Sequence, residues 1–206
     1  MNKGGKERVR ARYDRISPYY DLMELLLEKA LFSRWRRRVF DTLDGGSILE
    51  VGVGTGKNFD FYPHGKPITA VDFSQGMLNR ARDKAESKGV KVNLVDMDVQ
   101  DLKFEDQSFD TILGTFLFCS VPDPIRGLQE IKRVCKKGGK IILLEHVRPG
   151  CELMGKFFDL LNPITVTLMG VNINRNTATN MEKAGLHVVE EEDLFRDVFK
   201  LFVANP

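Results

Sequence analysis

A glycine-rich stretch between residues 48 and 61, ILEVGVGTGKNFDF, is the first part of the sequence that could do chemistry. Glu50, Gly52, Gly54 and Gly56 alternate there, directly after a short apolar run. Glycine lets the backbone adopt a tight turn and come close to a ligand, because no Cβ atom stands in the way. Such a loop after the first strand of an α/β sheet is typical of a nucleotide-type site.

Three kinds of nucleotide loop can be compared with this stretch. A phosphate-binding P-loop requires Gly-x-x-x-x-Gly-Lys-Ser/Thr. Here the spacing from Gly52 to Gly56 is one residue short, and Asn58 stands where the hydroxyl should be. A dinucleotide fingerprint requires a glycine at the position of Lys57. What remains is an acid followed by three alternate glycines, and the residues elsewhere in the chain must indicate which ligand this loop binds.

Two carboxylates follow later predicted strands. Asp72 closes the second strand, where a carboxylate can accept hydrogen bonds from both hydroxyls of a ribose. Asp98, with Val99, follows the third strand, where an acid can accept from an exocyclic amine. Alternatively Asp72 could cap the next helix, although Ser74 is better placed for that role.

The elements that must position these residues alternate along the chain. Continuous apolar runs separated by helical segments predict an α/β fold, in which a mostly parallel sheet is covered by helices on both faces. The fold class is therefore Rossmann-like, with seven strands and an N-terminal helical lid. The predicted strands span about 48–52, 67–72, 90–95, 109–114, 140–145, 186–191 and 199–204, and helices span about 74–87, 124–135 and 177–184.

Helical spacing also marks both flanks of this core. Ser17-Pro18 predicts an N-cap followed by proline at the first helical position, with two helices from there to about Leu43. Residues 151–170 are apolar and helix-like, with a predicted break at Asn162-Pro163. One domain is expected over residues 1–206. Its parts are a helical cap (1–43), a cofactor-binding core (47–145), and an acceptor-side segment with the closing strands (146–206).

Composition limits the class of protein. The chain has 206 residues, of which 42% are hydrophobic and 29% charged, as in ordinary globular proteins. A net charge of +2 gives no case for nucleic acid as a partner. The three cysteines show no CxxC spacing and the three histidines no metal-ligand pattern, which favours a reducing compartment and no metal. The basic N-terminus does not look like a signal peptide, and no apolar run approaches the roughly 20 residues of a spanning helix, so a cytoplasmic location is expected.

Over residues 47–145 the sequence resembles the class I S-adenosylmethionine-dependent methyltransferases. The glycine loop, the two carboxylates, the run FEDQSFDTILGTFLFCSVPDP and the run EIKRVCKKGGKIILLEH carry the resemblance by their order and spacing. It implies S-adenosyl-L-methionine as cofactor and S-adenosyl-L-homocysteine as product. The cofactor-binding residues expected from it are Tyr20, Glu50, Gly52, Gly54, Gly56, Asp72, Phe73, Asp98, Val99 and Phe116.

The resemblance also implies a role for each of these residues. Glu50 and the three glycines would line the methionine portion of the cofactor. Asp72 would hold the ribose hydroxyls, and Phe73 would lie against the adenine, whose edge Asp98 and Val99 would read. Phe116 would lie near the sulfur that bears the methyl group. Because Phe116 and Phe118 alternate in one run, one of the two is expected to be plain core.

The flanks resemble particular groups within this class. The stretch YDRISPYYDLMELLLEKALFSRWRRR, from residue 13 to 38, is similar to the opening of the ubiquinone/menaquinone C-methyltransferases and of the bacterial phospholipid N-methyltransferases. In those relatives this region folds over the cofactor and helps to enclose the acceptor. The later runs LLEHVRPG and GVNINRNT are more similar to phospholipid N-methyltransferases and membrane-associated thiol methyltransferases. The expected acceptor is therefore amphipathic, either a phospholipid head-group amine or an isoprenoid quinone.

Four residues are candidates for the acceptor side. His146 follows the fifth strand and is the candidate general base, because imidazole titrates near neutral pH; a structural hydrogen bond is the alternative. Asn174 and Arg175 could orient a polar head group, Arg175 through bidentate contact to phosphate or carboxylate, or they could cap the following helix. Tyr13 is the fourth candidate.

Two segments suggest peripheral contact with the inner face of a membrane. Arg34, Arg36, Arg37 and Arg38 flank Trp35, and basic residues beside an aromatic suit an anionic surface. The apolar segment 151–170 could roof a lipid pocket. A solvated helix face and ordinary core are the alternatives.

Three rival functions differ from methylation of a lipid or quinone. One is methylation of a small thiol or other soluble metabolite, and another is a non-catalytic scaffold that only binds the cofactor. Nucleic-acid methylation is disfavoured, because LFCSVPDP follows the fourth predicted strand in place of an Asn-Pro-Pro-aromatic motif. Finally, residues 1–30 are expected to become ordered only when cofactor binds, because a lid must open for exchange.

Overall fold

A seven-stranded sheet forms the centre of the molecule, and the computed structural model describes residues 3–43, 45–168 and 170–206. The strands are β1 (Ile48–Val51), β2 (Ile68–Asp72), β3 (Asn93–Asp96), β4 (Phe109–Thr115), β5 (Cys135–His146), β6 (His187–Phe195) and β7 (Phe199–Asn205). Strands β1 to β5 are parallel, whereas β7 is antiparallel to both β5 and β6. The predicted mostly parallel, Rossmann-like sheet is confirmed.

Helices cover both faces of this sheet. They are α1 (Lys3–Leu27), α2 (Ser33–Asp41), α3 (Gln75–Lys88), α4 (Pro124–Val134), α5 (Glu152–Leu168) and α6 (Thr177–Lys183). Side chains of β5 alternate between the two layers, as strand geometry requires. Ile142 and Leu144 pack with Val39 of α2, whereas Ile141 and Leu143 pack in the cluster that includes α4 and α6. Burial on both sides explains why the strands are continuously apolar.

The order of the strands places the site. Across the sheet it is β3-β2-β1-β4-β5-β7-β6, so the chain progresses outward in opposite directions from β1 and β4. In open α/β sheets, ligands bind outside the carboxyl ends of the strands at such a reversal. The glycine loop follows β1 directly, and it therefore lies at the reversal.

The prediction of a helix start at Ser17-Pro18 is wrong. α1 continues through Pro18, and a π-helical segment at Glu28–Phe32 joins it to α2. Proline removes the N–H that the carbonyl of Asp14 would accept from in a regular helix. The Ser17 hydroxyl donates to that carbonyl at 3.0 Å. A local side-chain substitute therefore lets the helix pass a residue that usually ends one.

The predicted break at Asn162-Pro163 is also wrong, because α5 runs through it. Contacts outside the helix hold the segment on either side of the proline. The ring of Phe158 stacks on His146 with centroids 5.6 Å apart. The Asn162 side chain accepts from the backbone N–H of Ile173 at 2.9 Å. β5 likewise begins at Cys135, earlier than predicted, and its pairing with β4 shifts register across the glycine turn that precedes Lys140.

Candidate cofactor site

A cleft lies at the carboxyl ends of β3, β2, β1 and β4, with α1 across its mouth. The cleft is partly open to solvent and is lined by residues of these strand ends and of α1. Most of the predicted site residues meet in it, although they come from separate parts of the sequence. The cleft-lining residues among them are Tyr13, Tyr20, Gly52, Gly54, Asp72, Phe73, Asp98, Val99 and Phe116.

The three glycines of the loop have different structural roles. All have positive φ angles, +71° at Gly52, +55° at Gly54 and +75° at Gly56, which L side chains rarely adopt. A Cβ at Gly52 would meet the Leu117 side chain at 2.6 Å, and one at Gly56 would run into the Phe59 ring. Around Gly54 the space is open. Gly54 is thus the glycine whose missing side chain leaves room for a ligand, whereas Gly56 serves internal packing and is not among the cleft-lining residues.

Asp72 is held in the centre of the cleft. One carboxylate oxygen accepts the backbone N–H of Gly54 and the other that of Ser74, both at 2.9 Å. Burial raises the pKa of Asp72 to about 6, although these two hydrogen bonds oppose the shift. Each oxygen keeps a lone pair that can accept from a hydroxyl. The helix-cap alternative does not apply to Asp72, since the Ser74 hydroxyl accepts from Met77 N–H and caps α3.

Asp98 lies at the β3 end of the cleft, beneath α1. It accepts the backbone N–H of Gln100 at 2.8 Å and forms an ion pair with Lys6 of α1. Burial would raise the pKa of Asp98, but hydrogen bonds from Lys6 and Gln100 outweigh it and leave the pKa below its usual value. The carboxylate is therefore ionised near neutral pH and can accept from an amine.

Glu50 lies behind the glycine loop and not on the cleft surface. Its side chain is fully buried, and it accepts from Asn58 at 2.9 Å and from the Tyr62 hydroxyl. Burial raises the pKa of Glu50 to about 7, against the opposing effect of Tyr62, Asn58 and Arg36. Direct contact of Glu50 with the methionine portion of a cofactor stays a prediction. Its hydrogen bonds with Asn58 and Tyr62 give Glu50 a structural role.

His146 is half-buried between aromatic rings, outside the set of residues that line the cleft. It stacks on Phe158 and meets the edge of Phe199 at 5.0 Å. Its Nδ1 atom makes no hydrogen bond within the described part of the chain. Burial lowers the pKa of His146 to about 4. The imidazole is therefore neutral at pH 7 but a weak base, and its role as general base stays a prediction.

Asn174 and Arg175 lie at one side of the cleft, where they bind protein groups. Asn174 donates to Asp159 of α5 at 3.0 Å, and Arg175 donates to the carbonyl of Val121, a cleft-lining residue, at 2.8 Å. Neither caps α6, whose N-cap is Asn176. Binding of an acceptor head group by Asn174 and Arg175 stays a prediction.

The arginine run is only partly a surface cluster, because Arg36 and Trp35 lie in the interior. Arg36 is 4% exposed, in contact with the glycine loop and the end of β4. Arg38 pairs with Glu192, and Arg37 lies over the ring of Phe61. Trp35 is buried among other aromatic rings. Arg34, Arg37 and Arg38 are exposed, so three of the four arginines of the predicted cluster lie on the surface.

Sequence reasoning missed Arg36 and several other residues around the cleft. Arg36 falls on the apolar stripe of its helix, with Phe32, Trp35, Val39 and Phe40, and that helical spacing was the signal of a buried position. The additional cleft-lining residues are Val71, Met77, Met97, Gln100, Thr115, Leu117, Ser120, Val121 and Pro122. Most of them neighbour predicted residues.

Asp98 after β3, Asp72 at the end of β2 and the open Gly54 after β1 line one cleft, and this set suits an adenosyl ligand without a pyrophosphate. This arrangement, at the reversal of a β3-β2-β1-β4-β5-β7-β6 sheet, defines a methyltransferase-type Rossmann-like domain. A family profile described as "Methyltransferase domain" matches residues 49–143. The chain belongs to the class I S-adenosylmethionine-dependent methyltransferases, and S-adenosylmethionine is its cofactor.

Named relatives fall into the two groups that the sequence resembles. A demethylmenaquinone methyltransferase of Staphylococcus aureus is 32% identical over 82% of this chain and 73% of its own length. A phosphatidylethanolamine N-methyltransferase of Cereibacter sphaeroides is 45% identical over 50% of this chain. The chain spans about half the length of that relative (51%), and 63% of a demethylmenaquinone methyltransferase of Clavibacter sepedonicus at 34% identity.

Solved structures agree on the fold. A Thermotoga maritima protein described as a possible histamine N-methyltransferase has a TM-score of 0.72 at 23% identity, covering 95% of this chain and 98% of that one. A geranyl diphosphate methyltransferase bound to S-adenosylmethionine also has a TM-score of 0.72, at 14% identity and 84% coverage of each chain. Identities this low establish the shared fold alone.

Proposed function

We propose that this protein transfers the methyl group of S-adenosylmethionine to an amphipathic acceptor, either a phospholipid head-group amine or an isoprenoid quinone, at the surface of a membrane. The observation that carries the proposal is a pair of helices, α1 across the mouth of the cleft and α5 in contact with α1. Both present exposed apolar side chains to solvent, where an ordinary cytosolic enzyme would present polar ones.

The first of these faces lies on α5. Leu153, Phe157, Leu160 and Ile164 follow the spacing of one helical stripe, and they are 78%, 51%, 74% and 55% exposed. The stripe is about 16 Å long, from the helical rise of about 1.5 Å per residue. No helix in the described ranges is long and apolar enough to cross a membrane. A face of this kind suits a helix that lies within the interface of a bilayer.

The second face lies on the outer side of α1. Tyr19, Leu22 and Leu25 are 64%, 72% and 40% exposed, and Arg8 and Arg15 are exposed nearer the N-terminus. Exposed arginine and aromatic side chains beside apolar ones suit an anionic lipid surface. The opposite side of the same helix lines the cleft through Tyr13 and Tyr20. A lipid held at this surface would therefore lie next to the cofactor cleft.

The two helices meet beside the cleft. Arg12 of α1 donates to the carbonyls of Val166 and Thr167 near the end of α5, at 3.0 and 3.2 Å. The loop that follows α5 returns to the cleft through Asn172, which donates to the carbonyl of Cys119 at 3.0 Å. We propose that an apolar acceptor reaches the cleft from the side where α1 and α5 meet.

Positioning and exclusion of water are the chemical contributions that this cleft can make. When bound, S-adenosylmethionine supplies an electrophilic methyl group on a sulfonium. Phe116, Leu117 and Val121 line the cleft with apolar surface, and the displacement gains most from an aligned, water-poor site. An amine acceptor would need to lose a proton before transfer, and neutral His146 is the candidate that the chain offers for it.

Methyl transfer from labelled S-adenosylmethionine tests the proposal. The protein is incubated with vesicles that contain phosphatidylethanolamine, with a demethylated quinone in vesicles, or with an aqueous extract of small metabolites, and the products are partitioned between organic solvent and water. We expect label in the organic phase. Label confined to the aqueous phase would favour the thiol or metabolite alternative. Cofactor binding without transfer to any acceptor would favour the scaffold.

A further inference from the structure

Arg36 is the only one of the four arginines between residues 34 and 38 that is buried. Its Nε atom donates to both carboxylate oxygens of Glu28, at 3.1 and 3.3 Å. One Nη atom donates to the Asn58 side chain at 2.9 Å and to the Thr115 hydroxyl at 2.7 Å. The guanidinium also lies 5.1 Å from the centre of the Phe116 ring. One cation therefore joins the cap helices, the glycine loop and the end of β4.

The hydrogen bonds continue from Arg36 beneath the loop. Asn58 donates to Glu50 at 2.9 Å and to the Thr115 hydroxyl at 3.1 Å. Glu50 in turn accepts from Tyr62. Glu28 comes from the π-helical segment between α1 and α2, a type of helix distortion that is frequent at functional sites. Movement of the cap would therefore break contacts with two walls of the cleft.

Phe116 is held in an unfavourable backbone conformation at this point. Its φ angle is +55°, which is unfavourable for a non-glycine residue and persists only where the surroundings enforce it. Its N–H donates to the Leu144 carbonyl at 2.7 Å, and its ring packs on Phe32 with centroids 4.7 Å apart. The guanidinium of Arg36 covers the ring as well. The cap thus helps to hold a strained residue that lines the cleft.

The order of the strands divides the cleft into two ends. Asp98 follows β3 and Asp72 follows β2, so the adenine and ribose would lie on that side. Gly52 follows β1, Thr115 ends β4 and Phe116 follows it, so the methionine portion would lie there. Apart from Glu28 of the cap, the partners of Arg36 belong to the β1–β4 side.

We propose that Arg36 is a positioning residue of methyl transfer, which makes the methionine end of the cleft form only when the helical cap is in place. The inference rests on the proposed function, because it assigns a task within the same cofactor cleft. Arg36 does not itself line the cleft. It acts through its contacts with Asn58, Thr115 and Phe116. The adenosine end should therefore form with or without it.

Binding of two ligands distinguishes this role from a merely structural one. S-Adenosylhomocysteine fills both ends of the cleft, whereas adenosine fills the β3–β2 side alone. In Arg36→Met, measured by calorimetry or by competition, we expect about a tenfold loss of affinity for S-adenosylhomocysteine and less than a twofold loss for adenosine. Arg36→Lys keeps the charge but lacks the forked donors, so an intermediate loss is expected. Arg37→Met, one residue along and exposed, is the matched control and should bind both ligands as the wild type does.

Thr115→Val provides a second test that keeps the buried ion pair intact. It removes the acceptor of Arg36 with little change of shape, and it should also weaken S-adenosylhomocysteine more than adenosine. In the double variant with Arg36→Lys, the fold-loss of affinity for S-adenosylhomocysteine should be smaller than the product of the two single fold-losses, since the residues share one contact. The same comparison applies if Arg36→Met does not fold, because Arg36→Lys and Thr115→Val remain.

The possible results have different consequences. Equal weakening of both ligands, or unchanged binding of both, in Arg36→Lys and Thr115→Val overturns the positioning role. Failure of the wild-type protein to bind S-adenosylhomocysteine overturns the proposed function instead. Normal wild-type binding with no selective loss in the variants would leave the proposed function standing and remove the inference about Arg36.

Discussion

At the scale of single residues, the acids around the cleft differ by environment more than by type. Asp98 has a lowered pKa and pairs with Lys6, whereas burial raises the pKa of Asp72 to about 6 and that of Glu50 to about 7. A raised pKa means that the ionised form is costly until a ligand supplies donors. Asp72, on the cleft surface, is the acid for which a ligand can do so.

Cofactor affinity should therefore depend on Asp72 and on pH. Ribose hydroxyls donate to the ionised carboxylate, so binding of S-adenosylhomocysteine should weaken as the pH falls below about 6, by up to about tenfold per pH unit. Asp72→Asn should bind at least about tenfold more weakly at pH 8 and should lose that pH dependence. Calorimetric titration between pH 5 and 8 measures both effects.

Asp60→Asn is the control for this experiment, because Asp60 is an exposed acid on the far side of the glycine loop, paired with Lys88. It should keep the wild-type affinity and pH profile. An Asp72→Asn variant that retains the wild-type pH profile would show that another group is responsible.

The sequence predicted the positions of Asp72 and Asp98, but it did not predict the hydrogen-bond partners of Glu50. Carboxyl ends of neighbouring parallel strands meet at one edge, so Asp72 and Asp98 could be placed from the strand pattern. Successive side chains of a strand alternate between the two faces of the sheet, so the position within the strand determines which face a residue occupies. Ile48 packs against the α2 side, and Glu50, two residues later, faces the same side and meets Arg36 through Asn58. Arg36 lies on a helix whose arginines the sequence indicated to be solvent-exposed.

At the scale of elements, α1 is tied to the cofactor site along its length. Asp14 accepts from the Ser74 hydroxyl at 2.6 Å and from Gly76 N–H at 2.9 Å. A Cβ at Gly76 would meet the Ser17 hydroxyl at 2.7 Å, so glycine there permits the close approach of α1 and α3. Asp21 accepts from Thr55 in the glycine loop at 2.5 Å. These contacts make α1 a lid whose stability should follow the state of the cleft.

Limited proteolysis tests this coupling. Trypsin should cleave α1, which exposes Arg8 and Arg15, more slowly when S-adenosylhomocysteine is present. Asp14→Ala should speed cleavage without ligand several-fold, because it removes the two hydrogen bonds to the start of α3. Exposed Glu7→Gln is the control and should leave the rate unchanged. Equal cleavage with and without ligand would contradict a lid.

The strand order could be predicted at this scale, but the continuity of the helices could not. Alternating apolar runs sufficed for the parallel sheet, since burial on both faces has a strong signature. Passage of a helix through Pro18 or Pro163 depends on distant or compensating partners. The Ser17 hydroxyl serves the carbonyl left by Pro18, and His146 and Ile173 hold the segment around Pro163. Local propensity contains no sign of such contacts.

At the scale of the whole molecule, buried titratable groups set how stability varies with pH. Burial raises the pKa of Glu50 and Glu145 to about 7, above the ordinary 4.5. Their stabilising contribution is complete below pH 4.5 and is lost as the pH rises through 7. Asp72, raised from 3.8 to about 6, acts in the same direction. His146, lowered from 6.5 to about 4, opposes them, since its contribution is lost as the pH falls.

The free energy of unfolding without cofactor should therefore decrease between pH 5 and pH 7.5. In Glu145→Gln the decrease should be smaller, by on the order of 2 kcal/mol. The new amide side chain would keep an oxygen for the N–H groups of Leu117 and Phe118, which Glu145 binds at 3.0 Å. Urea titrations at several pH values measure the slope. Glu190→Gln, at an exposed position, should leave it unchanged; a Glu145→Gln slope equal to that of the wild type would refute the assignment.

Membrane contact is a property of the whole surface, because it requires α1 and α5 to act together. The combined variant Leu22→Glu/Leu160→Glu places a charge on each apolar face. Because Leu22 is 72% exposed and Leu160 is 74% exposed, the fold should be unaffected. Burying one leucine contributes about 1.5–3 kcal/mol, and the variant should therefore partition into anionic vesicles at least tenfold more weakly than the wild type. Affinity for S-adenosylhomocysteine in solution should not change.

Gln129→Glu/Lys183→Glu, which changes charge on α4 and α6, is the control. If the control loses vesicle binding as strongly as the leucine variant, net charge and not the apolar faces determines the contact.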